Sequence, residues 1–189
     1  MTRPLPVPRG RNRYCGPFAA AVALGCTTDE AAAKLRAASG RAAIRRIFPH
    51  ELERALRCFG LRQCVSGPAL SDAVTLGQFL RAVAAAPTVR PRLLVVMVTG
   101  HYLVYCNGKV ADNRTREWRP WREFPGLRRR VIEYGVLCGG QWGAAPDPAS
   151  YTWSTLRRGR EAQKAARRAR TLASASGFTS LQILAGGAP

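Results

Sequence analysis

Carboxylates and histidines are scarce in this chain: 11 Asp and Glu stand against 30 Lys and Arg, and only His50 and His101 supply an imidazole. The shortage of acid leaves a formal charge of +19. An excess that large implies contact with polyanions, either nucleic acid bound without sequence preference or an acidic protein surface. No run of about 18 apolar residues occurs, so neither a membrane span nor a membrane partner is expected. The six cysteines (15, 26, 58, 64, 106 and 138) include no Cys-x-x-Cys pair, and no histidine lies at a metal-ligand spacing from them. That argues against a zinc site, and neither a metal nor a cofactor is expected. Zinc fingers, phosphate loops and RNA-recognition sheet motifs are missing as well, as is any internal repeat. The opening Met-Thr-Arg-Pro-Leu-Pro-Val-Pro-Arg is too rich in proline to be the apolar core of an export signal. A cytoplasmic location and reduced thiols are the corresponding expectations.

What is present suffices for a real core, since 47% of the residues are hydrophobic. The chain divides into an extended basic arm over 1–11, a folded domain over 12–140, and a linker with a basic tail over 141–189. Within the domain, Cys15-Gly16-Pro17 precedes an alanine-rich helix whose first turn accepts Pro17 at no hydrogen-bonding cost. Thr27 with Glu30 forms a capping box for a second helix that stops near Gly40. Pro49 opens a third, with Leu52, Ala55, Leu56 and Phe59 at helical spacing and Gly60 as its stop. Arg41 to Ile47 reads as a basic loop and Leu61 to Val65 as a short strand. Thr75 caps a fourth helix through Leu76, Phe79, Leu80 and Val83.

The periodicity then changes. Leu93 to Val98 and His101 to Cys106 are apolar runs of strand length, and Asn107-Gly108 marks a tight hairpin that returns over Lys109 to Asn113. Trp118, Trp121 and Phe124 follow, equally readable as core or as an assembly surface, and Val131 to Leu137 is a further strand. Helices followed by an antiparallel meander define an α+β class. Beyond it, Arg157 to Arg170 carries seven basic residues and one acidic one, a helix stable only if a partner or the main body holds it.

A helix N-terminus favours thiolate over thiol, so Cys15 is the candidate nucleophile; the plain alternative is a buried packing cysteine. A nucleophile needs a base and a group that orients it. His50 is accounted for by capping or solvent, whereas His101 opens a strand after Thr99-Gly100. If Asn107-Gly108 is a two-residue turn, Cys106 pairs with Lys109 and Leu103 faces Asp112, which puts Asp112 on the His101 face within diagonal reach. A three-residue loop would reverse the parity and bring Asn113 there instead. Asn-Gly favours the tighter turn and hence Asp112.

The order Cys15, His101, Asp112, with Cys-Gly-Pro before an alanine-rich helix and Gly-His-Tyr opening a strand, resembles the papain-like cysteine peptidase superfamily, above all its compact bacterial and phage members. The resemblance covers roughly residues 10 to 138. It implies helices carrying the cysteine packed on an antiparallel sheet carrying the histidine. It also implies attack by Cys15 on an amide or isopeptide carbonyl of a protein or peptide substrate, with His101 as base and then acid and Asp112 orienting it. The superfamily supplies an oxyanion-hole glutamine shortly before the nucleophile. Here Asn12 is the one amide in that stretch, beside the Cys15 N–H. The competing class is a dormant papain-like scaffold of a phage particle or other assembly, located in the host cytoplasm or the virion. Its basic arms would contact DNA or neighbouring subunits.

Overall fold

The computed structural model describes residues 5–67, 74–85, 93–138, 142 and 153–175. Helix α1 (Cys15–Leu24) is apolar on every side and accordingly buried from Gly16 to Ala23. Its packing sets the neighbouring residues. A methyl group on Gly16 would stand 2.3 Å from Cγ2 of Ile47, so the glycine of Cys-Gly-Pro lets the loop before the third helix close over the first turn of α1. Helix α2 (Thr28–Ser39) starts with the expected reciprocal cap: Thr27 Oγ1 accepts the Glu30 N–H at 3.2 Å, and Glu30 accepts the Thr27 N–H at 2.8 Å. Helix α3 (Pro49–Cys58) buries Leu52, Ala55 and Leu56. Phe59, expected on the same stripe, is 38% exposed and lies under the Lys34 ammonium at 4.1 Å from its ring centre. Helix α4 (Leu76–Ala85) is capped by Thr75, which exchanges hydrogen bonds with Gln78.

The strands are β1 (Arg62–Gly67), β2 (Leu94–Val98), β3 (His101–Cys106), β4 (Lys109–Ala111), β5 (Arg119–Pro120) and β6 (Val131–Cys138). They form one sheet in the order β1-β6-β2-β3-β4-β5, antiparallel throughout. The Asn107-Gly108 turn has the expected register, Cys106 opposite Lys109 and Val104 opposite Ala111. Both turn residues lie at positive φ, 46° and 81°, as the tight hairpin requires. The class is therefore α+β, with N-terminal helices on an antiparallel sheet.

Each face of the sheet is covered. Helices α1, α2 and α3 pack on Val95, Tyr102, Val104, Ala111 and Leu137. Helix α4 packs on Val96, Leu103, Tyr105, Val110 and Val136, with Phe79 against the ring of Tyr134 at 4.7 Å. Trp121, at the head of a single 3-10 turn (Trp121–Glu123), and Phe124 complete that second core, while Trp118 borders the first.

Two residues from the stretch read as linker and tail are also buried. Trp142 donates its indole N–H to the Ala23 carbonyl at 2.8 Å. Leu156, near the start of helix α5 (Trp153–Ala175), is fully buried in the second core. The main body therefore holds the basic helix at its N-terminal end. The expectation of wholly reduced thiols is corrected at Cys138: this last residue of β6 is disulfide-bonded, whereas Cys15, Cys26, Cys58 and Cys106 remain thiols. The apolar positions Leu181, Ile183 and Leu184 and the arm residues 1–4 lie outside the described residues. No helix among the described residues is long and apolar enough to cross a membrane.

Candidate active site

His101 is the first residue of β3, and Asp112 follows the last residue of β4, so both stand at the same end of the sheet. The register that pairs Val104 with Ala111 puts Leu103 opposite Asp112 and His101 on its diagonal, and their side chains meet: His101 Nε2 lies 2.8 Å from Asp112 Oδ2, with both residues buried. The ring's other nitrogen is left for Cys15, to which His101 is also hydrogen-bonded. Cys15, half-buried at the first position of α1, closes the chain of three. Its side chain meets the imidazole at the end of the sheet.

The second carboxylate oxygen fixes Asp112. Oδ1 accepts the Thr115 N–H at 2.7 Å, the Thr115 hydroxyl at 2.9 Å and the Arg114 N–H at 3.1 Å. The same turn grips the strand of chain ahead of the nucleophile. Arg116, itself at positive φ, donates to the Gly10 and Asn12 carbonyls at 3.2 and 2.9 Å, and Asn113 Nδ2 donates to the Arg13 carbonyl at 2.5 Å. From the other side, Asp29 accepts the N–H groups of Arg11 and Asn12 at 2.7 and 3.0 Å. Residues 10 to 13 are thus held between the start of α2 and the loop after β4, which delivers Cys15 to the imidazole.

Electrostatics follow from these contacts. Burial alone would raise the Cys15 thiol, but the hydrogen bond with His101, the backbone N–H of Tyr102, the imidazolium charge and the Gly16 N–H outweigh it, and the thiol lies below its ordinary value. Burial would lower His101; its hydrogen bonds to Asp112 and Cys15 reverse that and raise it. Burial opposes ionisation of Asp112 too, yet the bonds from His101 and Thr115 hold it at about 2. All three shifts run toward the charged form of the group concerned: thiolate for Cys15, imidazolium for His101 and carboxylate for Asp112. By contrast, burial pushes the Cys106 thiol up to about 11, and burial together with Glu30 raises Cys26.

The sequence candidates Cys15, His101 and Asp112 come together, and Asn113 does not join them; it secures Arg13 instead. Asn12 turns its carbonyl oxygen to the Tyr14 N–H at 3.0 Å, which leaves its Nδ2 as the group that a substrate oxygen could use. His50 is exposed and stacks on Phe48, ring centres 5.9 Å apart. Arg116 was not legible as a site residue, since an arginine in so basic a chain carries no local signal. No group of three or more His, Cys, Asp or Glu among the described residues could hold a metal ion. No family model, curated protein or solved structure matches the chain.

Proposed function

We propose that the chain is a papain-like cysteine peptidase or a related amide or isopeptide hydrolase. The observation that carries this reading is the hydrogen-bonded series Cys15, His101, Asp112 at the N-terminus of a buried helix, with the thiol lowered and the imidazole raised. The Cys15 thiolate attacks the amide carbonyl, and the carbonyl oxygen takes up the negative charge. His101 then gives its proton to the departing amine, leaving a thioester on Cys15. Neutral His101 next takes a proton from water, whose oxygen attacks the thioester; the acid product leaves and the thiolate returns. Asp112 keeps the imidazole in the tautomer and orientation that this exchange requires. The Cys15 N–H, free of any helical acceptor at the first helical position, and Asn12 Nδ2 are the donors for the developing oxyanion. An arrangement with one weak side-chain donor runs about a hundredfold or more below one with a well-aimed pair.

The test is covalent. A peptide bearing an electrophilic carbonyl group and a peptide library read by mass spectrometry are offered to the chain and to Cys15→Ala. Labelling at Cys15 with cleavage, both lost in the variant, supports the hydrolase. A chain that is folded yet neither labelled nor active would leave the scaffold reading in its place.

A further inference from the structure

Among the described residues of helix α5, Leu156 is the one that joins the second core. The stripe that the helix turns toward α4 carries Arg160, Lys164, Arg167 and Arg170, whose spacings of four and three keep them on one side of the helix. The facing wall carries Arg81 from α4 and Arg122 from the 3-10 turn, and a cleft of about 980 Å³ separates the two. Six cations line it, with no carboxylate among the described lining residues. Like charges facing each other across a gap repel, so the two walls sit together most stably with an anion between them.

We propose that this cleft binds the phosphodiester backbone of nucleic acid. Every polar side-chain group among the described lining residues is an N–H donor. A phosphodiester chain presents charged acceptors that match such a wall, whereas a peptide would bring N–H groups for which the lining side chains offer no acceptor. The row from Arg160 to Arg170 runs about 15 Å along the helix, long enough to meet more than one phosphate of the same strand. Trp121 on the floor is only 6% exposed and lies under the Arg122 guanidinium at 4.9 Å. It is therefore no platform for a base, and recognition is electrostatic and tolerant of sequence. The cleft lies on the α4 side of the sheet, away from α1, and the proposal stands independently of the hydrolase reading.

The experiment titrates a labelled short oligothymidylate with the full chain, read by fluorescence anisotropy from about 50 to about 200 mM salt. Two charge-matched triple variants separate the cleft from general basicity: Arg160→Ala with Lys164→Ala and Arg167→Ala in the cleft, and Arg157→Ala with Arg158→Ala and Arg168→Ala outside it. The cleft triple is expected to weaken binding about tenfold or more and to flatten the salt slope by about 2, while the outer triple changes affinity less than about threefold. Should the cleft triple lose helix by circular dichroism, Arg81→Ala with Arg122→Ala on the opposite wall gives the same test. Equal losses in both triples, no binding by the parent chain, or displacement by polyglutamate as effective as by oligonucleotide would overturn the proposal.

Discussion

Asp112→Asn is the most instructive single substitution, because the carboxylate accepts hydrogen bonds on both oxygens. Oδ2 faces His101 Nε2, and Oδ1 takes the donors of Arg114 and Thr115. An amide has one accepting oxygen. With its NH2 toward the imidazole, Nε2 must become the acceptor, and the ring proton moves to the nitrogen that should receive the Cys15 proton. Turned over, the NH2 is forced against the N–H groups of Arg114 and Thr115. A buried hydrogen bond left unmade costs about 1–3 kcal/mol. The lowered carboxyl measures the same hydrogen bonds a second way: it is held at about 2, against an ordinary value of about 3.9, and at about 1.4 kcal/mol per tenfold this difference is worth about 2.6 kcal/mol at neutral pH. Urea denaturation at neutral pH should therefore show a loss of about 2–3 kcal/mol. In the same variant the imidazolium loses its carboxylate, so less Cys15 is thiolate in mild acid. Alkylation of Cys15 by iodoacetamide should fall about tenfold near pH 6 and approach the parent rate above about pH 9. Lower stability with unchanged alkylation would confine Asp112 to holding its turn, and no change in either would refute the argument.

Three further outcomes follow from the same contacts. Gly16→Ala brings a methyl group to 2.3 Å from Ile47 Cγ2 and should cost about 1–3 kcal/mol, part of it recovered when Ile47→Val is added, as a double-mutant cycle in urea would report. Arg116→Ala removes both bonds to the Gly10 and Asn12 carbonyls; a stability loss of about 1–2 kcal/mol with slower Cys15 alkylation in mild acid is expected, and unchanged alkylation would show that residues 10 to 13 position Cys15 without it. In acid, the stability contributed by Asp112 is present above about pH 4 and is lost as pH falls through about 2. The raised His101 contributes in the opposite sense, being most favourable below its unfolded value and lost as pH rises through its folded one. Denaturation midpoints measured across pH in the parent and in Asp112→Asn should differ above about pH 4 and converge below about pH 2.

Local chemistry made much of this fold legible. Thr27 with Glu30, Thr75 and Asn107-Gly108 each act through residues three or fewer positions away, so caps, turn and register could be read directly, and the Asp112 choice followed from the turn. The order of strands could not. Placing β6 between β1 and β2 joins segments far apart in the chain, and nothing in Val131 to Leu137 names its neighbours. Trp142 and Leu156 sit in a stretch whose composition is that of a loop and a charged helix, and single buried side chains leave no periodic trace. The disulfide at Cys138 was missed for a related reason: scattered cysteines without a spacing motif do not reveal which of them will meet. Arg116 and Asn113 act on carbonyl groups across the molecule, contacts that depend on where the loop after β4 arrives.

The central claim is that His101 turns Cys15 into a thiolate, and the pH profile of alkylation, mapped cysteine by cysteine, tests it most directly. Cys15 should react near pH 6 ahead of the exposed Cys58, with Cys26 and Cys106 unreactive until well into the alkaline range, and His101→Ala should shift the Cys15 profile toward that of an ordinary thiol. A Cys15 profile that tracks Cys58, or one that His101→Ala leaves in place, would contradict the account.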